Sequence, residues 1–220
     1  MRIQLRLPAM LIALGLILVP LLVRAADPPE VTEDGLVRVQ SSRKVGVYRA
    51  PDVPFTQYRR ITLGGITVSF SKSWLRANKS LKEDDRERIR AVLVRAFRDE
   101  LAAELVNRGG YALTDEAATD VLLVQPAIRD LDITAPEAGL TPGTRSFVHT
   151  AGSMTLVIEL RDAASGVLVA RIIDYEHARE MDDLQLANQT SNEAEARIAF
   201  ANAARHTREA LNVAKTQRPR

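Results

Sequence analysis

The sequence predicts an α+β fold: an antiparallel or mixed sheet of about four to six strands with two long helices packed on one face. Three observations carry that reading. The stretch from Ile89 to Leu105 repeats apolar residues at helical spacing, and a second such stretch closes the chain. Between them, Met154 to Tyr175 alternates with a period of two around a turn. The order of elements is strand, long helix, at least three strands, then helix, which places both helices against one sheet.

The elements follow in order. Leu36 to Tyr48 alternates weakly around Ser41-Ser-Arg-Lys44 and reads as a pair of short edge strands. Arg59 to Phe70 is a firm strand whose apolar positions are odd at Ile61 and Leu63, then even at Ile66, Val68 and Phe70. A period of two changes parity only through an extra residue, so a β-bulge is expected at Gly64-Gly65. With a positive φ at Gly65, Gly65→Val would cost about 1–3 kcal/mol.

Ser80-Leu-Lys-Glu83 fits a capping box for the first long helix. Its apolar stripe is Ile89, Val92, Leu93, Ala96, Phe97, Leu101 and Leu105, and Asn107 to Gly110 supplies the stop. Arg86, Arg88, Arg90, Arg95 and Arg98 are interleaved with Asp84, Asp85, Glu87 and Asp99, the pattern of a solvated face. Val121 to Ile133 is the second firm strand; Pro126 lacks a ladder donor, so an irregularity or an edge position is expected there.

Thr134 to Thr150 reads as one long loop rich in Pro and Gly. In the hairpin, Met154, Leu156, Ile158 and Leu160 alternate with Thr155, Glu159 and Arg161, Val157 being the exception. Asp162 to Gly166 offers turn chemistry before Val167 to Tyr175 returns. After a polar stretch, Thr190-x-x-Glu193 fits a capping box for a helix to about Val213. Phe200, Ala204 and Leu211 centre its apolar face, flanked by Ile198 and Ala201.

The N-terminus has the three parts of a secretory signal. Arg2 and Arg6 are the positive region, Ala9 to Val19 the apolar run, and Val23-Arg-Ala25 the small residues before a cleavage point after Ala25. The run is shorter than the roughly 18–20 residues that span a bilayer core. The alternative is an uncleaved N-terminal anchor. The expected organisation is a signal peptide over 1–25, a leader over 26–35, one domain over 36–214, and a basic tail over 215–220. Export places the chain in the periplasm or outside the cell.

Cleavage removes three of the 30 basic residues and no acidic one, leaving 27 against 28 and a net charge of −1. That balance ranks down a nucleic-acid binder, which needs a concentrated basic footprint. The absence of cysteine removes disulfides, thiol nucleophiles, thiolate metal sites and thioether lipidation together.

Several blocks resemble a known family, the envelope lipoproteins grouped as domain of unknown function 3313. They are Tyr48-Arg-Ala-Pro51, Phe55-Thr-Gln-Tyr58-Arg-Arg-Ile61, Val68-Ser-Phe-Ser-Lys-Ser-Trp74, Ala151 to Asp162, and Ala187-Asn-Gln-Thr-Ser-Asn192. The resemblance implies export and an α+β envelope domain, and brings no activity or catalytic residue with it. Many members resemble lipoproteins whose signal ends in a lipidated cysteine. Here that region reads Leu22-Val-Arg-Ala-Ala26, so no lipid anchor is expected.

The three histidines are the candidates for chemistry. His177 has Asp174, Glu176, Glu180, Asp182 and Asp183 around it, the residue types of a divalent-metal site or a shared proton, but no second histidine at ligand spacing. The solvated end of a strand is the plainer reading. His149 has Ser146 and Thr150 nearby, but no G-x-S-x-G elbow accompanies it. His206 reads as solvated on the polar side of the last helix. Trp74 either packs under the start of the first long helix or presents an aromatic anchor to a partner.

No catalytic, cofactor or metal residue is therefore assigned. The leading function is a non-catalytic module binding an envelope protein or cell-wall component. Trp74, Pro136, Pro142 and His149 are the candidate partner-binding residues. The rival is a periplasmic hydrolase or metal-dependent enzyme using His149 or His177.

Overall fold

The computed structural model describes residues 30–42, 44–133, 146–148, 152–177, 185–187 and 189–216. The main sheet has eight strands, more than the four to six expected. Along it run β1 (Val37–Ser41), β2 (Val45–Arg49), β9 (Leu168–His177), β8 (Gly152–Asp162), β6 (Val121–Ile133), β3 (Arg60–Leu63) and β5 (Ala112–Leu113). The eighth strand, β4 (Thr67–Phe70), pairs with β6 beyond the end of β3. Pairing is antiparallel from β1 to β6 and parallel among β3, β4, β5 and β6, so the sheet is mixed.

One strand beyond the expected number is β5, and another comes from Arg59 to Phe70, which is two strands sharing one edge of β6. Leu63 pairs with Val124 and Thr67 with Ala127, so Gly64, Gly65 and Ile66 oppose only two residues of β6. This one extra residue is the expected change of parity. It also answers Pro126, which lies opposite the interruption, where the ladder is already broken.

The constrained glycine is Gly64, not Gly65. A side chain at 65 would meet open space, and Gly65 is not among the residues with left-handed φ. A Cβ at 64 would stand 3.1 Å from the Val124 carbonyl oxygen, a backbone atom held in the sheet. Gly64→Ala should therefore cost about 1–2 kcal/mol. Gly65→Ala should stay within about 0.5 kcal/mol of the parent in denaturant midpoint, which reverses the Gly65→Val expectation.

A short α-helix that the sequence pattern does not predict precedes the first long one. Ser71 caps α1 (Lys72–Ala77) by accepting the Trp74 amide at 3.1 Å. The Ser80 capping box does not form: α2 (Glu83–Leu101) begins after Lys82, whose side chain makes no cap bond. The chain instead turns to bury Leu81, at 5 % exposure. A π-helical run, Ala102–Arg108, continues α2 to the Gly109 stop. The last helix, α3 (Gln189–Thr216), starts one residue before the expected Thr190 cap.

Both long helices bury against one side of the sheet, as expected. Leu93, Phe97 and Leu101 of α2 and Phe200, Ala204 and Leu211 of α3 share a core with Leu122, Ile128, Leu156, Ile158 and Ile172. Phe97 and Phe200 stack at 4.6 Å between ring centres. Ala196, Ala199 and Ala203 bring α3 close, so its buried stripe runs through them and Ile198 stays 58 % exposed. On α2 the charged face pairs internally, with Arg86 and Arg90 both on Glu83.

On the other side of the sheet lie Leu36, Tyr48, Val121 and Val157, buried yet outside that core. Val157 is thus buried on the second face, which accounts for its break in the alternation. Glu30 to Gly35, expected as leader, belong to the fold. The Arg38 amide donates to the Glu30 carbonyl at 2.8 Å, and Arg171 bridges Asp34 and Glu159, each at 2.8 Å. At the other end Lys215 is still helical, with Nζ 4.0 Å above the Tyr111 ring.

Ser146–Val148, inside the expected loop, is a strand, β7; it pairs antiparallel with β10 (Gln185–Ala187) in a separate two-stranded ribbon. The expected signal peptide and residues 134–145 lie outside the described residues.

Candidate functional site

The side chains with the most chemical capacity sit where α3 crosses the sheet. Asp174 occupies a β9 position between Val45 of β2 and Leu156 of β8, both of them core residues, so its carboxylate enters the helix–sheet interface. It is 1 % exposed. His206 reaches it from α3, with Nδ1 2.8 Å from Oδ2, so His206 is not the solvated residue expected. The hydrogen bond to Asp174 raises the imidazole above its ordinary pKa, against an opposing push from burial. The second carboxylate oxygen, Oδ1, is buried with no hydrogen-bond partner among the described residues.

An aspartate holding an imidazole is two-thirds of a triad, and a hydroxyl on the far ring nitrogen would complete it. The neighbouring hydroxyl, Thr207, instead donates to the Ala203 carbonyl at 2.8 Å within the helix. The pair therefore ties α3 to β9. A second buried tie joins the helices. Glu104, in the π-helical run, accepts from Arg208 Nε of α3 at 2.8 Å and from Arg108. Burial pushes its carboxyl up, but the bonds from Arg208 and Arg108 outweigh it and hold the pKa below the ordinary value.

A crevice opens farther along α3, between its last turns and the β1–β2 edge, and encloses about 50 Å³. Val47, Phe55, Leu160, Ile172 and Leu211 form an apolar floor. Val39 and Val213 are its lips, 48 % and 52 % exposed. Arg49 enters the wall from β2, on the same strand face as Val45 and Val47. Its guanidinium carbon lies 5.9 Å from the Phe55 ring centre, and its Nε is buried without an acceptor among the described residues.

The residues singled out from sequence do not converge. Trp74 is buried at 3 %, stacks on Phe70 at 4.5 Å and donates Nε1–H to the Ile133 carbonyl at 2.8 Å. The anchor reading for Trp74 is thereby corrected: its ring packs into the core and its one polar atom is already used. His177 ends β9 opposite Ser153. Its side chain, together with Pro136, Pro142 and His149, lies outside the described residues. Among the described residues no three His, Asp or Glu side chains cluster as a metal site.

Arg49 was missed, and Asp174 was placed beside His177 rather than His206, although strand parity pointed to both as inward charges. Asp174 shares its face with Ile172, and Arg49 with Val45 and Val47, so each is a charge on an inward-facing position.

What the fold and site define is an α+β domain, one mixed sheet under two helices, with an apolar crevice at its edge. The chain belongs to a family of proteins of unknown function, DUF3313, whose model matches residues 31–207. No curated protein matches it. Among solved structures it is similar to the PelC dodecamer from Paraburkholderia phytofirmans, at 10 % identity and a TM-score of 0.39, covering 72 % of this chain and 96 % of that one. It is also similar to a PDZ domain protein from Parabacteroides distasonis, at 12 % identity and a TM-score of 0.30, covering 65 % of this chain and 32 % of that one.

Proposed function

We propose that this is an exported cell-envelope protein that acts as a non-catalytic binding module. The observation that carries the reading is how the buried charges of the helix side are used. Asp174 with His206, and Glu104 with Arg108 and Arg208, join separate parts of the fold, so their ionic chemistry goes into holding α3 in place. What faces outward beside them is an apolar crevice with one cation in its wall, a surface suited to holding a ligand.

Export rests on the sequence of the first twenty-five residues. N-terminal sequencing of the protein from the envelope fraction should begin at Ala26 or one residue on. A full-length chain fixed in the inner membrane would contradict it. Among the described residues no helix is long and apolar enough to cross a membrane.

A further inference from the structure

We propose that the crevice between α3 and the β1–β2 edge binds the C-terminal residue of an extended polypeptide, its carboxylate on Arg49 and its aliphatic side chain in the apolar floor. This rests on the binding-module reading above and names the ligand chemistry.

Three features converge on that occupant. The first is the cation. Arg49 is partly buried, lies in no ion pair of the described residues, and keeps its Nε turned away from solvent without an acceptor. A buried donor costs free energy unless something accepts from it, and a carboxylate matches guanidinium geometry best. The second is the room beside it. A space of about 50 Å³ takes a small branched aliphatic group, and the exposed lips Val39 and Val213 extend its apolar lining outward.

The third is the neighbouring strand. β1 is the end strand of the main sheet, and among the described residues Val31 and Glu30 cover its outer edge only beside Val37 and Arg38. From Val39 to Ser41 its residues are exposed. An extended peptide laid there would gain main-chain hydrogen bonds from the free edge. A fatty acid offers the carboxylate and the apolar group but cannot use a strand edge, so the peptide is the better fit.

The test is a calorimetric titration of the mature protein with an acetylated pentapeptide ending in valine, run against the same peptide as its C-terminal amide and against octanoate. The free acid should bind, with the amide roughly tenfold weaker. Arg49→Met should erase the acid–amide difference. Val213→Asp, on an exposed lip where folding is not at stake, should weaken both peptides. Circular dichroism and a thermal melt confirm that each variant is folded. Equal binding of acid and amide, tighter binding of octanoate than of the peptide, or no binding by any of the three would overturn the proposal. None of these outcomes bears on export, which N-terminal sequencing decides separately.

Discussion

His206→Ala should lower the unfolding free energy by about 3–5 kcal/mol at neutral pH, the cost of stranding a buried charge. The asymmetry between the partners sets that size. His206 keeps 26 % of its side chain exposed, whereas Asp174 is 1 % exposed and already has one oxygen without a partner among the described residues. Without the imidazole, neither oxygen is bonded. Asp174→Ala should cost less, since water can reach the histidine left behind, and the double variant should cost less than the two singles combined.

The pair also fixes a pH dependence. The folded-state pKa of His206 lies above its ordinary value of 6.5, so the pair stabilises fully below 6.5 and loses that contribution as pH rises through the folded-state value. Glu104 works in the opposite direction. Its pKa lies below the ordinary 4.5, so its contribution is present above 4.5 and is lost as pH falls through the lowered value. Chemical denaturation across pH should show the alkaline decline in the parent and not in His206→Gln.

Gly152→Ala should be as damaging, by at least about 3 kcal/mol, for a reason rooted in the backbone. Gly152 opens β8 opposite Ile133 with φ +124°. A Cβ there would stand 2.0 Å from the Asp132 carbonyl oxygen, far inside contact distance, and both atoms belong to paired strands. The close approach comes from an extra residue in β6. Between Arg129 and Asp132 the pairing with β8 shifts by one, and Asp130 takes φ +51° there. The denaturant midpoint should fall with an unchanged slope. A shift of less than about 0.5 kcal/mol would mean that β8 begins later than Gly152.

What the sequence made legible was local. β6 runs from Val121 to Ile133 as its apolar run indicated, and the hairpin turn closes where Asp162 accepts the Ser165 and Gly166 amides. The helix stop at Gly109 and the bulge before Ile66 were likewise written in spacing and parity. Strand count was not, because pairing partners are remote. Ser146–Val148 and Gln185–Ala187 are too short to show a period, and only their mutual pairing makes them strands. The Ser80 box marked the start of the first long helix, but burial of Leu81 places that start after Lys82 instead.

The candidate site was less legible for the same reason. Asp174 and His206 are 32 residues apart on different elements. A face-by-face reading of β9 would have marked Asp174 as an inward charge in need of a partner, though not which partner. Arg49 carried the same mark on β2, beside Val45 and Val47.

Site-specific photocrosslinking in intact cells tests most directly whether the chain is a binding module that works through this crevice. A photoreactive phenylalanine analogue replaces Val213 on the lip or, as the control, Ile198, an equally exposed position on the same helix. The expected result is an adduct at 213 whose digest contains the C-terminal peptide of the captured protein, and no such adduct at 198. The same partner in equal yield from both positions, or an adduct at 213 joined only to internal peptides, would contradict it.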